Sequence, residues 1–167
     1  KKDLYPLQSR DDIMRQLPKL KKKYPSYKDF SKANFAALLE LKQLKNNTLK
    51  ATMGHSVLVE NLGDGKFKVN ALPEEAQQAP INDILVDDIN GDNILDLILV
   101  GNDYYAEATY GRHDAFNGLL LKGSSNLGFE AQTLIKSGLY VPYQSNHIIA
   151  MKQNKALTIV AGQNNNR

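Results

Sequence analysis

Asp88-Ile89-Asn90-Gly91-Asp92-Asn93-Ile94-Leu95-Asp96 carries side-chain oxygens at its positions 1, 3, 5 and 9. Hard cations such as Ca²⁺ take six to eight oxygen ligands in a flexible cage, and alternating acidic residues in a turning loop supply them. Three carboxylates crowded into nine residues repel one another unless a cation lies between them. A plain polar hairpin tip explains Asn90-Gly91-Asp92-Asn93 equally well. It does not explain Asp96, which opens an otherwise apolar run. The chemistry expected here is calcium binding.

The elements that must hold this loop are strands. Ile84-Leu85-Val86 precedes it and Leu97-Ile98-Leu99-Val100 follows, both short, apolar and rich in strand formers. An EF-hand is excluded. Its loop needs Gly at position 6 and a bidentate Glu at position 12, where this chain has Asn93 and Leu99.

The pattern recurs. Val57-Leu58-Val59 leads through a Gly-Asp-Gly turn to Phe67, and Leu119-Leu120-Leu121 leads through Gly123-Ser124-Ser125-Asn126 to Phe129, at an offset of 62. Leu97-Ile98-Leu99-Val100-Gly101 matches Thr158-Ile159-Val160-Ala161-Gly162 at an offset of 61. A period near sixty with about four strands per unit suits a β-propeller blade with a long loop. The expected fold is therefore mainly all-β. It is part of a β-propeller built of four-stranded antiparallel blades, with a helical N-terminal insertion over residues 1–50 and blades over 51–167. Within the latter, 56–72 reads as the end of one blade, 82–135 as a complete blade and 146–163 as the start of the next. In the second copy the acidic loop becomes Met151-Lys152-Gln153-Asn154-Lys155, which has no carboxylate for a cation. So few blades do not close a ring. Together with a start at Lys1 and a polar end at 163–167, that leads us to expect part of a larger protein.

Asp88 to Asp96, followed by Leu97-Ile98-Leu99-Val100-Gly101-Asn102, resembles the calcium loop of FG-GAP/VCBS-type β-propeller repeats, found in integrin α-subunit heads and many secreted bacterial proteins. The resemblance implies that Asp88, Asn90, Asp92 and Asp96 bind Ca²⁺ through side chains and Ile94 through its carbonyl. Asn93 stands where the family has Gly, and Asn also enters the left-handed region. The Phe-Gly and Gly-Ala-Pro signatures of the integrin version are absent. Glu60-Asn61-Leu62-Gly63-Asp64-Gly65-Lys66-Phe67, Leu72-Pro73 and Gly111-Arg112-His113-Asp114-Ala115 are similar to large VCBS-repeat proteins of Bacteroidetes-type bacteria. The resemblance implies no enzymatic role.

The N-terminal third differs in kind. Ser9-Arg10-Asp11-Asp12 and Ser26-Tyr27-Lys28-Asp29 are helix-starting boxes. Ile13, Leu17 and Leu20 keep helical spacing, with Pro18 set to divide the helix. Phe30, Ala33, Ala37, Leu38 and Leu41 form a second amphipathic face. Residues 1–50 hold 13 Lys/Arg against 5 Asp/Glu, a net of +8, whereas 51–167 hold 8 against 13, a net of −5. Lys19 to Lys23 with Tyr24 and Tyr27 read as a solvated helix end rather than a nucleic-acid patch. Docking of this basic segment on an acidic propeller surface, its own or a partner's, is the economical expectation.

Other candidates are weaker. Arg112 and Asp114, beside Tyr104, Tyr105 and Tyr110, could bind a carboxylate or sugar, or simply brace a loop. His55, His113 and His147 lack metal-ligand spacing, and Glu74-Glu75 are sequence neighbours that cannot face one substrate. Asn46-Asn47-Thr48 is a formal glycosylation sequon. No Cys is present, which excludes disulfides and thiol chemistry. A content of 42% hydrophobic and 23% charged residues is that of a folded domain, without an apolar run long enough to span a bilayer. Loops of this kind bind calcium at about 10⁻⁴ to 10⁻³ M in extracellular modules, so they fill outside the cytosol. The expectation is a non-enzymatic, secreted or cell-surface module of the bacterial envelope, binding protein or glycan within a larger assembly. The alternative is an accessory or catalytic part of a polysaccharide-active enzyme whose active residues lie outside this chain.

Overall fold

The computed structural model describes residues 3–39, 49–108, 110–153 and 156–164. The chain divides into two compact units, Lys1–Met53 and Gly54–Arg167.

The first unit is helical. α1 (Arg10–Gln16) starts where the Ser9 hydroxyl accepts from the Asp12 N–H, satisfying an otherwise orphaned donor. Pro18 ends it, and a single 3₁₀ turn, Pro18–Lys21, follows. The expected second helix is two short ones, α2 (Tyr27–Phe30) and α3 (Phe35–Leu38). Asn34 is the reason for the break: its side chain caps the Ala37 N–H and restarts the helix in a new direction. Ala37 is consequently exposed, while Phe30, Ala33 and Leu38 join Met14 and Tyr24 in a small core. Leu41 and the Asn46-Asn47-Thr48 sequon lie outside the described residues. Tyr24 is buried edge-on against Phe30, and the Tyr27 hydroxyl donates to Asp11 at 2.5 Å. Both aromatic rings beside the lysine cluster are thus used inside the unit.

The second unit is built of small antiparallel sheets. β1 (Val57–Gly63) and β2 (Lys66–Ala71) form a hairpin. β3 (Ile81–Asp87), β4 (Asp96–Gly101), β5 (Leu119–Gly123) and β6 (Phe129–Gln132) form a four-stranded sheet in sequence order. A one-turn helix α4 (Leu134–Ser137) leads to the hairpin of β7 (Ser145–Gln153) and β8 (Ala156–Gln163). Among the described residues these strands make three separate sheets and no closed ring.

β4, in the middle of the central sheet, is buried on both faces. Leu99 and Leu121 pack with Leu72, Ala76, Leu58 and Phe129 on the side of the β1–β2 hairpin. Ile98 and Val100 pack with Ile148 and Ile159 on the side of the β7–β8 hairpin. That explains why β4 reads as continuously apolar rather than alternating. Burying each such side chain contributes roughly 1.5–3 kcal/mol.

The registers refine the repeat. β1–β2 and β5–β6 superimpose pair for pair at the offset of 62: Leu58↔Asn70 answers Leu120↔Gln132, and Asn61↔Phe67 answers Gly123↔Phe129. The offset of 61 between β4 and β8 is overturned. Both hairpins carry the same bulge, Ile81/Asp83 against Gly101/Val100 and Ser145/His147 against Gln163/Gly162. This aligns Val100 with Gly162, again an offset of 62, and Asp83 with His147, an offset of 64. The closing bonds agree, Asn102 N–H to Pro80 carbonyl and Asn164 N–H to Gln144 carbonyl. A shift of one residue would have turned every side chain to the wrong face.

Candidate metal centre

β3 and β4 end on the pair Asp87↔Asp96, so residues 88–95 form the hairpin connection. The loop is tied by its own side-chain oxygens. Asp88 accepts from the Gly91 N–H at 2.7 Å and the Asp92 N–H at 3.1 Å on one oxygen, and from the Asn93 N–H at 2.9 Å on the other. Asn90 accepts from the Asp92 N–H at 2.8 Å, and Asp92 from the Ile94 N–H at 2.9 Å. Gly91 at φ +80° and Asn93 at φ +64° make the turns, and Asn93 occupies the left-handed position at little cost.

Asp96 anchors the base. Its side chain is buried, accepting from the Ile89 N–H at 3.1 Å and the Gly123 N–H at 2.9 Å. Gly123 is required there: a Cβ on it would stand 2.1 Å from the Leu95 carbonyl oxygen. Sequence reasoning used Gly123 only as a turn marker, and its role in closing the β5 end onto the loop went unseen.

The charges are unevenly answered. Lys122 lies 3.3 Å from Asp92. The Asp92 carboxyl is held below the usual carboxylate range, first by the Ile94 N–H and further by the Asn90 amide and Lys122. Lys152, near the end of β7, pairs with Asp87 at 2.7 Å. Asp96 pairs with no Lys, Arg or His among the described residues. A buried carboxylate without a counter-charge is costly, and a hard cation would relieve it.

The donor types fit such a cation: carboxylates of Asp88, Asp92 and Asp96, the Asn90 amide oxygen and the Ile94 carbonyl. Carboxylate oxygens carry about four lone-pair sites in all, so single N–H bonds leave capacity on Asp92 and Asp96. The placement is that of a loop closed on its own amides. Among the described residues no group of three or more His, Cys, Asp or Glu is gathered to share a metal ion.

The second candidate pair is not assembled. The Arg112 guanidinium stacks 4.9 Å from the Tyr104 ring, and Arg112 and Asp114 form no ion pair among the described residues. His113 joins the backbone bridge to Asp103. The residue that organises this region is Asn102, fully buried at φ +78°. Its amide donates to the Phe116 and Tyr143 carbonyls, each at 2.8 Å, and accepts from the Phe116 N–H at 2.9 Å. An Asn directly after the strand-ending Gly101 is the signal that could have found it. In the second copy Met151, Lys152 and Gln153, expected in a loop, are the end of β7 paired with Thr158, Leu157 and Ala156, and Asn154 and Lys155 lie outside the described residues. No helix among the described residues is long and apolar enough to cross a membrane.

Comparison of the chain with family models, with curated proteins and with solved structures returns no match.

Proposed function

We propose that this chain is a segment of a calcium-stabilised β-propeller, a non-enzymatic module that binds protein or glycan or assembles with further blades outside the cytoplasm. One observation carries the reading: a hairpin loop with oxygen donors at 88, 90, 92, 94 and 96, based on the buried, uncompensated carboxylate of Asp96. The repeated hairpins on both faces of a four-stranded sheet support the blade interpretation. Calcium, when bound, supplies the positive charge that Asp88 and Asp96 lack. The chain's own part is to hold the loop in shape beforehand, through the Asp88 bonds to three successive amides. A pre-formed cage loses less entropy on binding.

The test is thermal. A ligand that binds only the native state at ten times its Kd adds about 1.4 kcal/mol. For a domain of this size that raises Tm by about 5 °C. Chelation is expected to remove that increment, and Asp92→Ala to abolish the difference between calcium and chelator. Superimposable melting curves with and without calcium would count decisively against the site.

A further inference from the structure

Asn is followed by Gly at two places in the chain, Asn90-Gly91 and Asn117-Gly118. Such a pair cyclises readily, because glycine has no side chain to keep its nitrogen from the neighbouring amide carbon. We propose that Asn90 is a self-modifying position, deamidating to a carboxylate that recharges the loop, while the fold keeps Asn117 intact.

The reaction consumes only water. The Gly91 nitrogen attacks Cγ of Asn90 and gives up its proton to solvent base. The Cγ–Nδ2 bond breaks, the side-chain nitrogen takes a proton from water and leaves as ammonia, and a succinimide ring remains. Water then adds to one ring carbonyl. Addition at Cγ breaks the new C–N bond and gives aspartate at position 90. Addition at the backbone carbon breaks the original peptide C–N bond and gives isoaspartate, with the main chain rerouted through Cβ and Cγ. Either product is negative where Asn90 is neutral, and nothing is oxidised or reduced.

The structure separates the two pairs. Asn90 is exposed, and a Cβ on Gly91 would meet nothing within 4 Å. The Asn90 side-chain oxygen accepts from the Asp92 N–H at 2.8 Å, so a donor already faces the oxygen that gains negative charge as the nitrogen attacks. Ring closure turns the peptide about the Asn90 Cα–C bond. The tie this strains at Gly91, its N–H to Asp88, lies within the same loop. At Asn117 the same turn meets the body of the fold. The Asn117 carbonyl accepts from the Val141 N–H at 2.8 Å, and buried Asn102 holds both the N–H and the carbonyl of Phe116. A Cβ on Gly118 would stand 3.2 Å from Val141 and 3.3 Å from Leu139, so this peptide has little room to swing.

The modified loop holds four carboxylates where Asp88, Asp92 and Asp96 now make three. Aspartate at 90 raises affinity for calcium through ligand charge, whereas isoaspartate lengthens the main chain and draws the donors apart. That consequence rests on the metal reading. The modification itself does not.

The test is peptide mapping by mass spectrometry of the full chain, warmed at neutral pH in chelator, in calcium chloride and in urea. In chelator the Asn90 peptide should gain about 1 Da, and Asn90→Gln should abolish the gain. Asn117 should react about tenfold more slowly or less, since its peptide turns only when the packing around it opens. In urea the two should react alike, which assigns the difference to the fold. An Asn90 peptide of unchanged mass in chelator, or equal rates for Asn90 and Asn117 in the folded chain, overturns the proposal. Calcium should slow Asn90 by about tenfold, because the amide oxygen is then held by the ion. Reaction at Asn90 that is equally fast in calcium and in chelator upholds the modification and counts against the metal site.

Discussion

The β3–β4 and β7–β8 hairpins share a frame and differ in what it carries. Both begin with the same bulge, and the pair Asp87↔Asp96 in one occupies the place of Met151↔Thr158 in the other. Beyond that rung they part: one hairpin leaves its strands for the connection 88–95 with its carboxylates, while the other continues its pairing through Lys152↔Leu157 and Gln153↔Ala156, with Lys152 turned toward Asp87. Strand pairing and bulge persist without the acidic residues. The strand pattern therefore makes the hairpin, and the loop is chemistry added to its end.

The sharpest way to break that equivalence is at the bulge. A Cβ on Gly101 would lie 1.9 Å from the Pro80 carbonyl oxygen, whereas Gln163 holds the same rung of the other hairpin with a full side chain. Gly101→Ala is expected to cost about 3 kcal/mol, the upper end for forced overpacking. Gln163→Ala should lose far less, and urea titration measures both. At the loop base, Asp96→Ala strands the Ile89 and Gly123 amides and should cost about 2 kcal/mol. Thr158→Ala, at the equivalent exposed rung, should stay within about 0.5 kcal/mol. The Asp96 loss is expected to survive chelation, because those amide bonds need no metal. A loss seen only in calcium would make Asp96 a ligand first and an anchor second.

The strands, the hairpin loop and the helix-starting boxes at Ser9 and Ser26 were legible because each is a local pattern. The offset of β8 was not. Leu97–Val100 and Thr158–Ala161 are apolar throughout, so sliding one past the other changes their likeness little while reversing every face. Only the bulge, where Ile81 and Asp83 face Gly101 and Val100, fixes the alignment. The loop's residue types were readable, but not their use. The bonds from Gly123 to Asp96 and from Asn102 to Phe116 and Tyr143 join residues far apart in the chain. No spacing rule links such pairs. In the first unit, amphipathic spacing over 30–41 concealed the restart that Asn34 imposes.

The smallest effect tests whether the hairpins are coupled through charge. Asp83 and His147 are equivalent positions, and they meet: the Asp83 carboxylate accepts from the Ile148 N–H at 2.9 Å and from the Ile84 N–H at 2.9 Å. The His147 ring lies 3.8 Å away. These amides, Ile148 first, hold the Asp83 carboxyl below its ordinary value of 3.8, with His147 adding a little. Because the folded state favours the ionised form, the stabilisation is present above the unfolded value and is lost as pH falls through the folded one. Asp83→Ala should therefore cost on the order of 1 kcal/mol at pH 7 and flatten the decline of stability that sets in as pH falls below the ordinary carboxylate range. His147→Ala should leave that acid limb in place, since the amides outweigh the ring. If removing His147 instead abolishes the limb, the hairpins are held by charge across the interface, and the shared bulge geometry contributes less than the amide bonds suggest.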